Sequence, residues 1–184
     1  MDHYQDIQVL PDPEFPEEVL MTALFAKLHR ALGARGKGDI GVSFPDHKTK
    51  PGARLRLHGL KEALTELDAT RWRAGLQDYC QSSNVAPVPQ VQGWRTVARV
   101  QVKSSPERLM RRSVRKGWIT EEQAQQKLAG IQAQSTPLPW INVKSLSSNQ
   151  HYRLFIQHGA LQSSPASGTF SSYGLSAQAT IPWF

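Results

Sequence analysis

Four arginines with helical spacing form the most distinctive chemical pattern in the chain. They stand at positions i, i+3, i+4 and i+7 of a segment that begins at Pro106, and they are Arg108, Arg111, Arg112 and Arg115. At 100° per residue, these side chains fall within an arc of about 100° on an α-helix. Like charges at this spacing repel one another, and no acidic residue lies on that face to relieve them. The pattern therefore favours a helix face that binds a polyanion, with an ordinary solvated charged face as the plainer alternative.

The distribution of charge along the chain supports the polyanion interpretation. The 184 residues carry a net charge of +7. The segment from Arg95 to Lys116 holds eight of the 22 basic side chains and one of the 15 acidic ones, which leaves 14 of each elsewhere. The whole positive excess therefore lies in one short segment, which is typical of a phosphate-binding surface.

A strand predicted for 94–103 offers a second kind of contact. Alternation places Arg99 and Gln101 on the same face, together with Arg95, Val97 and Lys103. Arginine can bond to the O6/N7 edge of guanine, and glutamine to the N6/N7 edge of adenine. The pair could read neighbouring bases, although an exposed strand without any ligand shows the same alternation.

Histidine and serine side chains offer the possibility of catalysis. His29 lies near the end of the first predicted helix, where it could interact with the helix dipole or act as a general base. Ser145 and Ser147 lie in a polar segment, as turn residues or as contacts for a ligand. None of the six histidines forms an HxH or HxxxH pair, and Cys80 is the only cysteine, so we expect no metal, no cofactor and no disulfide.

Other classes of protein are disfavoured by the sequence. It contains no phosphate loop, no Rossmann fingerprint and no GxSxG motif. No apolar run approaches the roughly 20 residues needed to cross a bilayer, and the acidic, proline-rich start is unlike a signal peptide. We therefore expect a cytoplasmic protein without a membrane partner.

The elements that would position these residues suggest an α+β fold. The first 85 or so residues predict the order β-α-β-β-α, which is compatible with a ferredoxin-like domain of RRM topology. The aromatic RNP1 signature is absent, so RNA is not expected on an ordinary RRM sheet. A proline- and glutamine-rich linker, 85–93, would separate domain 1–93 from a second α+β domain, 94–184, carrying the arginine-rich helix. Further strands are predicted near 140–146, 151–157, 169–175 and 179–184.

Several longer segments together resemble one known family. They are MDHY…DI, FPEEVLMTALFAKLHRAL, IGVSFPD, RVQVKSSPERLMRR, SSNQHYRLFIQHG and YGLS…PWF. With these segments, essentially the whole chain resembles the subtype I-F CRISPR repeat-cleaving endoribonuclease, the Csy-type member of the Cas six superfamily.

The resemblance implies a metal-independent endoribonuclease that needs no cofactor. It would bind the hairpin of the CRISPR repeat and cut pre-crRNA at the 3′ base of the stem. Attack by the ribose 2′-hydroxyl would leave a 2′,3′-cyclic phosphate and a 5′-hydroxyl. The protein, a monomer on its own, would then keep the crRNA as a subunit of the type I-F surveillance complex.

The resemblance also implies roles for individual residues. His29 falls on the general base, Tyr173 on the tyrosine that orients it, Ser145 on the serine that holds the 2′-hydroxyl, and Ser147 on a second active-site serine. Base reading falls to Arg99 and Gln101, and major-groove binding to a helix that contains Arg111, Arg112, Arg115 and Lys116. The aromatic residue that stacks under the terminal base pair corresponds to Tyr152.

Three positions depart from the family pattern, one of them Ser113, which interrupts a denser arginine run. Tyr152 stands where the family has phenylalanine, which preserves a ring for stacking. Lys116 stands where arginine is expected, which keeps a positive charge but removes the bidentate fork. Two alternatives remain: a scaffold that binds an RNA hairpin without cutting it, and a DNA-binding regulator with a recognition helix.

Overall fold

The computed structural model describes residues 1–101, 106–129, 136–144 and 150–184. By packing, the chain divides into a larger unit, Met1–Val100 with Leu138–Phe184, and a smaller unit, Gln101–Pro137. The α+β fold class is confirmed, since helices accompany two antiparallel sheets. The domain boundary expected between residues 93 and 94 stays a prediction.

The first sheet of the larger unit has the predicted ferredoxin-like topology. Its elements follow in the order β1 (His3–Val9), α1 (Glu17–Arg35), β2 (Gly41–Ser43), β3 (Arg54–Gly59), α2 (Lys61–Ala69), β4 (Cys80–Ser82) and β5 (Ala86–Pro87). The strands lie in the order β2-β3-β1-β4, and β5 also pairs with β1. This is the split β-α-β arrangement, in which two helices are available to cover one face of an antiparallel sheet.

Helix α1 carries both the core of this unit and one candidate catalytic residue. Pro16 precedes the helix, and Glu17 and Glu18 occupy the first turn, where carboxylates favour the helix dipole. Gly36 ends the helix by donating its backbone N–H to the carbonyl of Leu32. The buried side of the helix consists of Leu20, Met21, Leu24, Phe25, Leu28, His29 and Leu32. His29 therefore lies on the buried face of α1, among the side chains that pack the helix into the core.

The second sheet of the larger unit is formed by the remaining strands. They are β6 (Gly93–Val100), β7 (Trp140–Lys144), β8 (His151–His158) and β9 (Ser176–Trp183), in the order β7-β8-β6-β9. Alternating residues of β7 and β8, such as Ile141, Val143, Leu154 and Ile156, are buried and join the same apolar cluster as the core of the first sheet. Both sheets of this unit therefore share a core.

The described residues of the smaller unit include two helices that pack against each other, α3 (Pro106–Arg115) and α4 (Glu121–Ala129). Met110 and Val114 of α3 are half-buried, whereas the basic side chains of α3 are exposed. The predicted start near Thr120 is confirmed, since Thr120 Oγ1 accepts from the backbone N–H of Gln123 at 3.2 Å. In the part of the chain that the structure describes, no helix is both long and apolar enough to cross a membrane.

Several element predictions were wrong. The strand predicted for 169–175 is a turn, because Gly174 adopts a φ of +69° and the N–H of Ser171 bonds to the carbonyl of Leu175. Helix α2 ends at Ala69 and does not continue through 72–79. The predicted linker contains β5, which pairs with β1.

The strand predicted for 94–103, which was expected to read bases, is shorter in the structure. Strand β6 ends at Val100, so Gln101 follows the strand, and Lys103 lies outside the described residues. The predicted polar face also contains Val97, which is buried in the core.

Candidate active site

The position of His29 determines which of its ring nitrogens can act as a base. The side chain is 6% exposed, and its Nδ1 lies 3.0 Å from the carbonyl oxygen of Ser172. A carbonyl oxygen can only accept a hydrogen bond, so Nδ1 carries the hydrogen of the neutral ring. The lone pair is then on Nε2, which is the nitrogen that can take a proton.

Tyr173 fixes the plane of the His29 ring. The two rings stack with their centroids 3.9 Å apart and an angle of 10° between their planes. Phe25, one turn earlier on α1, is also parallel to Tyr173, with a centroid distance of 6.2 Å. The imidazole is therefore restrained by a carbonyl in its plane and by an aromatic ring on its face.

The loop that carries Tyr173 is held by its backbone. The carbonyl of Gly174 accepts from the N–H of Val42 at 2.8 Å, and the N–H of Gly174 donates to Ser171 at 2.8 Å. A Cβ added to Gly174 would lie 2.3 Å from the Cγ2 of Val42, and the φ of +69° is one that L side chains rarely adopt. Glycine at this position allows the loop to approach β2 closely enough to place Tyr173 against His29.

Tyr152 connects Tyr173 to Arg99 of strand β6. The hydroxyl groups of Tyr152 and Tyr173 are hydrogen-bonded to each other. The guanidinium carbon of Arg99 lies 5.2 Å from the centre of the Tyr152 ring, within the range of a cation–π contact. The structure thus joins His29, Tyr173, Tyr152 and Arg99 by successive contacts.

The surroundings of Tyr173 keep its phenol protonated, because they raise its pKa. Burial, followed by the hydrogen bond and proximity of Tyr152, raises the pKa of Tyr173 to about 12, while nearby Arg99 opposes the shift. At neutral pH the phenol keeps its proton. Tyr173 is therefore suited to positioning the imidazole and not to accepting a proton itself.

The other predicted site residues lie elsewhere or are not described. Ser145 and Ser147 lie outside the described residues, so their predicted roles stay predictions. The remaining predicted RNA contacts belong to the smaller unit, where all are exposed: Gln101, Arg108, Arg111, Arg112, Arg115 and Lys116. The exposed stripe of α3 has the amphipathic form expected from the sequence.

The sequence reasoning missed three parts of this site. They are the carbonyl of Ser172, the ring of Phe25 and the hydroxyl link between Tyr152 and Tyr173. A backbone carbonyl leaves no trace in residue type, and Phe25 has the spacing of an ordinary core residue. The sequence shows tyrosine at position 152 where the family has phenylalanine, but not that its hydroxyl bonds to Tyr173, which lies 21 residues away.

Two other histidines of the larger unit, the buried His58 and the half-buried His158, provide a contrast. His58 is 0% exposed and its Nε2 lies 2.8 Å from Ser43 Oγ. Burial, with a smaller effect of Arg56, lowers the pKa of His58 to about 3. The ring of His158 stacks on His47 at 3.7 Å, and burial lowers the pKa of His158 to about 3 as well.

The described residues contain no cluster of potential metal ligands. Across the described ranges, no group of three or more His, Cys, Asp or Glu side chains is arranged to hold a metal ion. The site residues that are described offer an imidazole, two phenols and a guanidinium group, a set suited to proton transfer and stacking.

Comparison with known proteins identifies the family. The family model described as "CRISPR-associated protein (Cas_Csy4)" matches residues 4–184. The chain is 67% identical over 184 residues to the CRISPR-associated endonuclease Cas6/Csy4 of Escherichia coli (strain UTI89 / UPEC), covering 100% of both chains. It is 46% identical over 187 residues to the protein of the same name from Pseudomonas aeruginosa (strain UCBPP-PA14), again covering 100% of both. The chain therefore belongs to the Cas_Csy4 family of CRISPR-associated proteins.

Proposed function

We propose that this protein is an endoribonuclease that processes CRISPR RNA. It binds the repeat hairpin and cuts pre-crRNA at the 3′ base of the stem, with the 2′-hydroxyl as the nucleophile and without a metal ion. The observation that carries the proposal is the 3.0 Å contact between His29 Nδ1 and the carbonyl of Ser172, which leaves Nε2 to act as the base. The relatives named as endonucleases, which match over their full length, support the assignment of a cutting activity.

The proposed reaction is a transesterification. His29 Nε2 takes the proton of the 2′-hydroxyl, and the 2′-oxygen attacks the adjacent phosphorus. The bond between phosphorus and the 5′-oxygen breaks, and this oxygen acquires a proton to become a 5′-hydroxyl. The upstream fragment retains a 2′,3′-cyclic phosphate. In this scheme Ser145 holds the 2′-hydroxyl in line, Ser147 is a second contact, and Tyr173 maintains the orientation of the imidazole.

Recognition of the hairpin uses two kinds of contact. The exposed basic side chains of α3 neutralise phosphates, and Arg99 and Gln101 read base edges near the bottom of the stem. Tyr152 offers its ring to the terminal base pair. A continuous A-form major groove is too deep and narrow for a helix, but a short stem is open at its ends. Since several phosphates are neutralised, affinity should fall steeply with salt concentration.

After cleavage, the protein keeps the crRNA hairpin and remains as a subunit of the surveillance complex. Tight binding of the product gives essentially a single turnover per protein molecule. Copurification of the cut hairpin with the protein, and its presence in the assembled complex, test this part of the proposal. Free release of the cut hairpin would contradict it.

The decisive experiment is to incubate the protein with its repeat hairpin in EDTA. We expect complete cleavage, a 2′,3′-cyclic phosphate end, and no cleavage when the nucleotide 5′ of the cut carries a 2′-deoxyribose. Intact RNA under saturating binding would contradict the nuclease and favour the scaffold alternative. Equal affinity for a DNA hairpin of the same sequence would favour a DNA-binding regulator.

A further inference from the structure

Trp118 is an exposed indole directly beyond the arginine-rich helix. The residue is 68% exposed, more than any other large hydrophobic side chain in the described part of the chain. Single exposed apolar residues are common and need no explanation by themselves. The position of this one is unusual for two reasons, its fixed backbone and its cationic surroundings.

The backbone of Trp118 is held by the end of α3. The N–H of Trp118 donates to the carbonyl of Ser113 at 3.0 Å, and the N–H of Gly117 donates to Val114 at 2.9 Å. With a φ of +71° at Gly117, these bonds form a Schellman motif. In that motif the residue after the glycine usually packs against the last turn of the helix. Trp118 instead extends most of its surface into solvent from a rigid backbone.

The surroundings of the indole are strongly cationic. Lys116 Nζ lies 4.6 Å from the centre of the indole ring, in a cation–π contact. The side chains of Arg111, Arg112 and Arg115 are exposed on the same helix, and Glu107 is its only acidic residue. A partner for this indole must therefore tolerate the ammonium group of Lys116 and a neighbouring helix with several exposed arginines, which favours a nucleic acid over a typical protein surface.

We propose that Trp118 is a stacking platform for an unpaired nucleobase next to the stem that α3 binds. Lys116 lies over one face of the ring, so the opposite face accepts the base, while the ammonium group remains close to the neighbouring phosphate. Apart from the terminal base pair assigned to Tyr152, the bases with a free face are the unpaired ones, because pairs inside the stem stack on their neighbours. The base belongs either to the hairpin loop or to a single-stranded flank. This inference rests on the proposed binding of an RNA hairpin.

The test measures equilibrium binding of the repeat hairpin by the full-length protein. Stacking on an aromatic side chain contributes enough that Trp118→Ala should weaken binding by about 5- to 100-fold, while Trp118→Phe should retain most of the affinity. The dependence of affinity on salt should not change with Trp118→Ala, because no phosphate contact is lost. In contrast, Lys116→Ala should reduce the salt slope by about one. Leu109→Ala, which removes an exposed apolar side chain from α3 itself, is the matched control and should bind as the unaltered protein does.

A second arm identifies the base. Abasic substitution at each unpaired nucleotide should reveal one position, in the loop or in a flank, at which Trp118→Ala causes no further loss. If Trp118→Ala binds every RNA within twofold of the unaltered protein, the inference is wrong. An equal loss on every abasic RNA, or a defect only in assembly with other protein subunits, would also overturn it. If the unaltered protein fails to bind the hairpin at all, the proposed function fails instead.

Discussion

His29 and His58 are two buried histidines of the same unit, and both lie beside a hydroxyl-bearing side chain. His58 Nε2 is 2.8 Å from Ser43 Oγ, the spacing of a serine nucleophile and its base. Both residues of that pair have 0% exposure, so no substrate can reach them. His29 instead bonds through Nδ1 to a backbone carbonyl and stacks on a tyrosine.

The difference shows what makes a histidine available as a base. His58 uses Nε2 for a contact inside the core, and its Nδ1 has no partner in the described structure. That environment penalises the charged form, as the lowered pKa of about 3 indicates. In His29 one nitrogen is satisfied by the protein, and the lone pair of the other remains for chemistry. The distance between a histidine and a serine is therefore less informative than whether the ring is wholly enclosed, as that of His58 is at 0% exposure.

The largest expected effect is the loss of cleavage when His29 is replaced. His29→Ala should lower the single-turnover cleavage rate by about 10²- to 10⁴-fold, because general base catalysis typically contributes that much. The Kd for the hairpin should stay within about threefold. Cleavage under enzyme excess and a binding isotherm measure the two quantities. A rate within tenfold of the unaltered protein would remove His29 from the mechanism.

The opposite result is expected for His58→Ala. Loss of the buried ring leaves a cavity and an unsatisfied hydroxyl on Ser43, which together should lower the free energy of unfolding by about 2–4 kcal/mol. Cleavage per folded molecule should be unchanged. Denaturant titration measures the stability, and Ser43→Ala is a milder control. A cleavage defect as large as that of His29→Ala, without a loss of stability, would contradict the comparison.

His58 and the half-buried His158 should also make folding sensitive to pH. Since the folded-state pKa of His58 is lowered to about 3, the unfolded chain, with a histidine pKa near 6.5, binds the proton more readily. Stability is therefore complete above about pH 6.5 and is lost as the pH falls towards 3, by up to about 1.4 kcal/mol per pH unit. His158, facing His47 and Arg95, should act in the same direction.

Denaturant midpoints between pH 7 and 4 measure this dependence. A His158→Gln variant should give a shallower decline than the unaltered protein, because one of the two groups no longer titrates. A midpoint that is constant over this range would show that neither histidine is neutral in the folded state.

The smallest expected effect is that of breaking the hydrogen bond between the hydroxyl groups of Tyr152 and Tyr173. Tyr152→Phe keeps the aromatic ring but removes the hydrogen bond to Tyr173. Because one such bond contributes about 0.5–1.5 kcal/mol, the cleavage rate should fall by about 2- to 12-fold with little change in Kd. Tyr173→Phe should have a similar effect, and the double variant should be no worse than either single one. Additive losses would show that the two hydroxyls act independently.

Local patterns predicted much of the fold. The bounds of β1 followed from alternation, and the extent of α1 followed from Pro16, the first-turn glutamates and the glycines after it. The segment 169–175 was predicted as a strand and is a turn, because the positive φ of Gly174 is a backbone property that the sequence pattern does not show. The short pairing of β5 with β1 depends on contacts between distant residues and has no local signal.

The candidate site divides in the same way. The basic helix was predicted from spacing and charge, and the roles of His29 and Tyr173 came from the family resemblance. Their stacking joins residues 144 positions apart in the chain, so no local pattern contains it. The tautomer of His29 depends on the carbonyl of Ser172 and required three-dimensional geometry.

The loop that carries Tyr173 has a second consequence, for the solubility of the protein. Strand β2 lies at the end of its sheet, and an uncovered edge strand can pair with another molecule. The carbonyl of Gly174 occupies the N–H of Val42 on that edge. A substitution that displaces this loop would therefore expose a site for intermolecular strand pairing as well as disturb catalysis. Such variants should self-associate as well as lose activity. The same few residues would therefore be needed both for catalysis and for keeping the molecules apart.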